Sequence, residues 1–455
     1  MRVLSAFLIL ALTACAGGSG ARYAGVSASS FIPAARSPHG CGSNSGSSSS
    51  CMPITHVVVI VQENRSFDNL FAGYPGADAP LTGRMSNGQV VPLRSIGFNT
   101  TDLDHGYGAS VNDYDGGKMD HFDQNYNSQG KKAGAFAYSH LARVYVQPYW
   151  DMAAQYTLAD AMFATEHGAS WTSHLDLIGS TNLTPISAVV DFPSNSPYDC
   201  FAPVSTVTPT IDIHGRYRNN GPRPCFTQWA TMADTLDNAG LSWRFYAPPI
   251  HNDIGSIWSP FGAIARVRLG PDWHKVVSKP AQVLSDVANG YLANVTWITP
   301  EWQWSDHAGG GATMGPSWVS AVVNAIGQSQ YWNNTAIVVL WDDWGGFYDD
   351  AVPPQLDFKG LGLRVGCLII SPYARPGYVS HTQYEFGSVN AFIEQVFNLP
   401  PLGPASAGYS DARATSIIDS FDFTQTPIVF QPISAPIPPS QFVKMPSSGK
   451  APDDE

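Results

Sequence analysis

Five stretches of the chain are nearly unbroken apolar runs, many of them β-branched: residues 56–62, 242–247, 295–299, 335–341 and 363–370. Runs of this kind, without polar alternation, predict strands covered on both faces. Between them the hydrophobic period becomes that of a helix. Residues 227–238 end before Gly240, residues 316–326 place Trp318, Val322, Val323 and Ile326 on one face, and residues 388–397 repeat that spacing. A shorter helix is expected at 175–179. The alternation predicts an α/β fold with a mainly parallel sheet and helices on both sides.

Three of these runs lead into polar groups: Glu63-Asn64 after 56–62, Asp342-Asp343 after 335–341, and Asp306-His307 beyond 295–299. Ligands of open α/β sheets bind at the carboxyl ends of the strands, so these ends predict one convergent metal site. Asn64 and Asp68 also have a plainer use, as caps of the next helix. The adjacent carboxylates of Asp342 and Asp343 repel unless a cation lies between them or they point apart, and Gly345-Gly346 allow a tight turn there. Ser170 follows Gly168-Ala169 just before the helix at 175–179, where backbone N–H groups and the helix dipole favour a phosphoryl group. Its hydroxyl is a weak nucleophile until the proton is removed or the oxygen is coordinated.

The composition narrows the partners. The 455 residues carry a formal net charge of -12, which argues against a nucleic-acid partner but permits a small phosphorylated substrate. At the start, Arg2, an apolar stretch over 3–12 and Leu12-Thr13-Ala14-Cys15 read as a lipoprotein signal, with Cys15 the lipidated residue; plain cleavage after Ala16 is the alternative. The expectation is an exported protein tied to the cell envelope by its lipid anchor only. Residues 16–52 read as a Ser/Gly-rich tether and 433–455 as a Pro-rich acidic tail, loosely packed. Oxidising surroundings suggest disulfides between Cys41 and Cys51 and between Cys200 and Cys225, with Cys367 a buried free thiol.

The segments Glu63-Asn64-Arg65-Ser66-Phe67-Asp68, Gly116-Gly117-Lys118-Met119-Asp120, Gly168-Ala169-Ser170, Ser305-Asp306-His307 and Trp341-Asp342-Asp343-Trp344-Gly345-Gly346 stand in this order. Together they resemble the bacterial phosphoesterase family of acid phosphatases and phospholipases C. The resemblance runs from about residue 55 to 432 and makes 53–432 the expected catalytic domain. It implies an alkaline-phosphatase-like three-layer α/β/α sandwich with a serine or threonine nucleophile beside a bound metal. Carried over, it makes Glu63, Asn64, Asp342 and Asp343 the metal ligands and Ser170 the nucleophile, whose oxygen meets the same ion. Such an all-oxygen shell suits one divalent Ca²⁺, Mg²⁺ or Mn²⁺. His307 would contact phosphoryl oxygens or protonate the leaving group, with Asp306 orienting it; His105 and His174 are candidates for similar charge stabilisation.

One position departs from the pattern: Tyr348-Asp349-Asp350 stands where the family typically reads Tyr-Asp-His. Asp350 beside a phosphate would repel it unless protonated or pointing elsewhere, and His121 is a candidate to compensate. Phospholipase C members usually carry additional β domains after the core, so the expected activity is that of an acid-phosphatase-like phosphomonoesterase. A phospholipase C or other phosphodiesterase is the alternative. A surface lipoprotein that kept the fold and lost the chemistry, serving as a binding module, is the rival from another class.

Overall fold

The strand over His56–Gln62 (β1) is buried at every position, and its paired neighbours explain why it has no polar face. The structure, a computed structural model, describes residues 52–184, 187–250, 256–310 and 314–450. The readings of the signal segment with Cys15, of nearly all of the tether and of the Cys41–Cys51 pair lie outside these residues. The remaining strands of the main sheet are Thr157–Phe163 (β2), Trp243–Tyr246 (β3), Val276–Val277 (β4), Val295–Ile298 (β5), Thr335–Trp341 (β6), Arg364–Ile370 (β7), Tyr378–Ser380 (β8) and Tyr384–Glu385 (β9). Their order is β4-β3-β5-β1-β6-β7-β2-β8, with β9 also pairing β2. Every pairing is parallel except those that β7 makes with β6 and β2.

Helices Phe67–Phe71 (α1), Tyr107–Tyr114 (α2), Arg143–Gln155 (α3), Ser170–Gly179 (α4), Met232–Asn238 (α5), Gln282–Ala288 (α6), Gly315–Gly327 (α7) and Phe386–Phe397 (α8) accompany the sheet. α3 and α6 pack with α7, while α5 and α8 pack with α4, giving helical layers around a central sheet. The result is the α/β/α architecture expected. Residues 57–61 are at most 1% exposed, and at about 1.5–3 kcal/mol for each buried aliphatic side chain this strand is a principal source of stability.

Several expectations change. The strand β2 was not expected, because Thr157 and Asp160 interrupt its apolar pattern. Their side chains are satisfied by partners distant in sequence: Thr157 Oγ1 donates to the Arg375 carbonyl, and Asp160 Oδ2 accepts from the Asp78 N–H at 2.9 Å. The cap of α1 is Ser66, whose Oγ accepts from Asn69 N at 3.1 Å, and neither Asn64 nor Asp68 fills that place. α4 begins at Ser170 itself rather than at 175. The C-terminal segment is no loose tail over its described part: Phe442 is fully buried with its ring 5.3 Å from that of Trp304 and 5.4 Å from that of Trp318. An apolar anchor among prolines escapes periodicity. Cys200 and Cys225 form a disulfide and Cys367 is a buried free thiol. Among the described residues no helix is long and apolar enough to cross a membrane.

Candidate active site

Register brings the first four residues together. β1 and β6 are parallel neighbours with Gln62 opposite Trp341, so the residues that follow, Glu63-Asn64 and Asp342-Asp343, leave the sheet side by side. The turn after Asp343 comes close enough that a Cβ on Gly345, at φ +63°, would lie 2.1 Å from the Asn64 carbonyl oxygen. Asn64 itself is left-handed, at φ 55°; an asparagine tolerates this better than most residues, and the conformation marks a constrained position. Its N–H donates to Asp342 Oδ1 at 3.0 Å.

Two strands away, β2 runs parallel to β6 because the intervening β7 is antiparallel to both. The loop after β2 therefore emerges on the same rim and starts α4 at Ser170. Asn64 Nδ2 donates to Ser170 Oγ at 3.2 Å and lies 3.3 Å from Asp343 Oδ2, and Ser170 Oγ donates to Asp343 Oδ2 at 3.1 Å. Ala169 precedes the helix in extended conformation with no side-chain cap. The hydroxyl thus has an acceptor for its proton, an orienting amide and a helix N-terminus around it.

His174 follows Ser170 by one helical turn. Its Nε2 lies 3.2 Å from Glu63 Oε1 and 3.7 Å from Asp342 Oδ2. Burial pushes its pKa down to about 4 despite the pull of Asp342, so the ring is neutral, the form that ligates metals. Ligand atoms of Glu63, His174 and Asp342 all lie within 4.8 Å of one another. Asp342 Oδ2 is buried with no hydrogen-bond partner among the described residues. A charged oxygen so placed is costly without a counter-charge, and the donor set fits a divalent cation. His174 thus lies beside the expected oxygen donors, and its i, i+4 spacing from Ser170 was the available signal for that placement.

His105 and His307 form a second group, ring centroids 5.3 Å apart, with His105 6.5 Å from the Trp344 ring that follows Asp343. Each places Nδ1 against a backbone carbonyl, that of Leu103 and that of Ala308, which selects Nε2 as the nitrogen that gains or loses a proton. Asp306 does not orient His307 by any hydrogen bond of its carboxylate. Its Oδ2 accepts from Tyr149 Oη at 2.7 Å and Trp341 Nε1 at 3.0 Å. Burial lifts its pKa to about 7, opposed by these donors and by Arg65. The carboxylate beside His307 is Asp102, with Oδ1 3.9 Å from Nδ1. Arg65 Nε holds the Asp306 carbonyl at 2.7 Å, tying this loop to the exit of β1.

Asp350 points to a different partner. Arg364, at the start of antiparallel β7, is buried on the same rim and lies 2.9 Å from Asp350 Oδ1, 2.8 Å from Asp349 Oδ1 and 3.3 Å from Asp68 Oδ1. Asp350 therefore shares the one guanidinium of Arg364 with Asp349 and Asp68, a buried cluster in which burial raises the pKa of all three acids. His121, 3.4 Å from Asp115, belongs to a partly exposed loop pair. Sequence reading missed Arg364, Asp102, Tyr149 and Asp113, whose Oδ2 accepts from Trp344 Nε1 at 3.1 Å and steadies the turn after Asp343. A pocket of ≈ 670 Å³ begins next to the serine and is lined by Ala169, Tyr107, Asp191, Tyr198 and Tyr217 among others.

Comparison with known proteins identifies the family. The sequence model of the Phosphoesterase family matches residues 54–400. Phospholipase C B of Mycobacterium tuberculosis is 24% identical over 448 residues, covering 82% of this chain and 78% of the relative. Non-hemolytic phospholipase C of Pseudomonas aeruginosa is 24% identical over 429 residues, covering 81% of this chain and 57% of that longer protein. Non-specific phospholipase C5 of Arabidopsis thaliana is 23% identical, covering 76% and 71%. Among solved structures, a protein in the alkaline phosphatase superfamily from Vibrio parahaemolyticus aligns with a TM-score of 0.38 and 9% identity over 76% of this chain and 66% of that one.

Proposed function

The chain belongs to the Phosphoesterase family and is a phosphoric-ester hydrolase; we propose that it acts through Ser170 as nucleophile beside a divalent cation. The observation that carries this reading is the hydrogen-bond pair at Ser170 Oγ, to Asp343 at 3.1 Å and from Asn64 at 3.2 Å, at the start of a helix. Glu63, Asn64, Asp342, Asp343 and His174 would hold the cation. When bound, it supplies charge neutralisation and Lewis-acid polarisation of the phosphoryl group; an imidazole among the donors keeps Mn²⁺ in view and adds Zn²⁺ to Ca²⁺ and Mg²⁺.

Asp343 takes the Ser170 proton as the Oγ–P bond forms, and Asn64 keeps Oγ in line. The bond from phosphorus to the alcohol oxygen breaks, and a proton from His307 or His105 Nε2 neutralises the departing alkoxide. Water then hydrolyses the phosphoseryl ester. Fixed N–H dipoles at the start of α4 stabilise charge on the equatorial oxygens.

For the ester class, relatives named phospholipase C favour a phosphodiester, and the pocket beside Ser170 has room for a second substituent. A phosphodiester is therefore favoured over the phosphomonoester expected from the sequence. Turnover of bis-p-nitrophenyl phosphate against p-nitrophenyl phosphate, with metal stripped and restored, tests it. The expected result is metal-dependent release, faster for the diester, and reduced at least ~10³-fold in Ser170→Ala. Wild-type rates in Ser170→Ala would overturn the serine, and a faster monoester would restore the first reading.

A further inference from the structure

We propose that Lys359 is a positioning residue for Ser170: its buried ammonium anchors Glu166, four residues ahead of the serine, and fixes the loop that carries the nucleophile from β2 into α4. The inference rests on the reading of Ser170 as nucleophile and adds what holds the hydroxyl in line. The need for an anchor is visible at the helix start. Ala169 offers no side-chain cap, and residues 164–169 before the helix belong to no helix or strand. Ser170 therefore takes its place from whatever holds this loop. Against it lies the segment that leads into β7. Gly362 N donates to the Ala164 carbonyl at 2.9 Å, Ala164 N donates to that of Leu363 at 3.3 Å, and a Cβ on Gly362 would lie 2.2 Å from the Glu166 carbonyl oxygen. Only a glycine lets the two backbones approach so closely.

Side chains fasten the same contact. Lys359 and Glu166 are 1% and 2% exposed, with Nζ 3.3 Å from Oε2. Glu166 Oε1 also accepts from Asn182 Nδ2, so one carboxyl ties the loop both to the 359–363 segment and to the chain beyond α4. Burial alone would drive the ammonium toward its neutral form. Asp176 of α4 and Glu166 outweigh it and hold the Lys359 pKa above the ordinary lysine value. Lys359 is itself held in place: its N–H donates to Asp357 Oδ1 at 2.8 Å, Asp357 pairs with Arg413, and Arg413 Nε lies 2.9 Å from Oε1 of Glu385, the cap of α8. Since α8 packs on α4, these contacts close on the helix that begins with Ser170. A buried ion pair is a weak source of stability compared with apolar side chains of the same size. What this one supplies is a fixed loop, at a reacting group where a 1 Å error costs on the order of 10²-fold in rate.

The test measures kcat and KM for bis-p-nitrophenyl phosphate, and the melting temperature, in Lys359→Met and in Lys359→Met/Glu166→Gln. Lys275→Met is the control, because it removes an ammonium paired with Asp237 and Asp272 beside β4. In Lys359→Met, kcat should fall at least ~10-fold with KM within about threefold of wild type, and acid-quenched formation of the Ser170 adduct should slow by the same factor. Its melting temperature should fall as well, since the carboxyls of Glu166 and Asp176 lose their cation. The double variant loses one carboxylate together with the ammonium and keeps the formal charge of the group. It should regain melting temperature without regaining kcat, the separation that a merely structural role would not give. Lys275→Met should keep wild-type kcat. Turnover that recovers with melting temperature in the double variant, kcat within about threefold of wild type in both Lys359 variants, or equal loss in Lys275→Met would each overturn the proposal. If Lys359→Met does not fold, the double variant alone decides. The premise is judged separately: a Ser170→Ala chain at wild-type rate removes the nucleophile, whereas an inactive Ser170→Ala beside undiminished Lys359 variants removes only the anchor.

Discussion

Replacing Gly345 by alanine should damage the site through geometry alone, without touching a charged group. The residue sits at φ +63°, and an added Cβ would lie 2.1 Å from the Asn64 carbonyl oxygen and 3.1 Å from Asn64 Cβ. Since real Cβ atoms do not approach closer than 3.0 Å, the Asn64 segment must retreat by about 1 Å. The left-handed conformation costs an alanine roughly 1–2 kcal/mol, and the overpacking about 1–3 more. Asn64 is also the residue whose amide reaches Ser170 Oγ and Asp343 Oδ2. A displacement near 1 Å at a reacting group costs on the order of 10²-fold in rate. Gly130→Ala is the matched control: φ +70°, with nothing within 4 Å of the added carbon. It should lose only the backbone term and keep full turnover. The assays are thermal melting and p-nitrophenyl ester hydrolysis of both variants. If Gly345→Ala melts like Gly130→Ala and turns over within about threefold of wild type, Asn64 is not held where the account needs it.

Other outcomes follow from the same contacts. Arg364→Met leaves Asp68, Asp349 and Asp350 buried or half-buried without their cation and should destabilise by about 3–5 kcal/mol in urea unfolding, partly relieved by adding Asp349→Asn. Asp306, raised to about 7 chiefly by burial, binds a proton more readily folded than unfolded. Its contribution is therefore fully present below about pH 4 and lost as pH rises through about 7. Stability relative to Asp306→Asn should fall across that window, by up to about 4 kcal/mol, and a flat difference would refute the assignment. Chelation should abolish turnover and lower the melting temperature, both restored by a divalent ion, because the carboxylates at the ends of β1 and β6 would then repel unscreened.

The sequence was most legible where burial on both faces left a continuous apolar run: β1 and β6 match their predicted bounds, and their acidic exits meet because parallel register puts Gln62 opposite Trp341. It was less legible where a polar residue is satisfied by a distant partner. Thr157 and Asp160 hid β2, although each finds a hydrogen bond from or to another segment. Arg364 could not be matched to Asp68, nearly three hundred residues earlier, before the antiparallel turn of β7 was known. Asp306 and Asp350 carried the right residue types for chemistry, and only geometry shows their carboxylates engaged with Tyr149, Trp341 and Arg364. His174 had a readable signal in its helical spacing from Ser170, but only if α4 starts at Ser170, which the Gly-Ala pair before it obscured.

The claim that Ser170 carries the chemistry is tested most directly by quenching the metal-loaded enzyme in acid during turnover of bis-p-nitrophenyl phosphate and mapping the peptide that spans α4 by mass spectrometry. A phosphoryl group on Ser170, formed at a rate no slower than steady-state turnover and absent from Ser170→Ala, is the predicted result. Turnover with no adduct at any time would mean that water attacks directly and would contradict it.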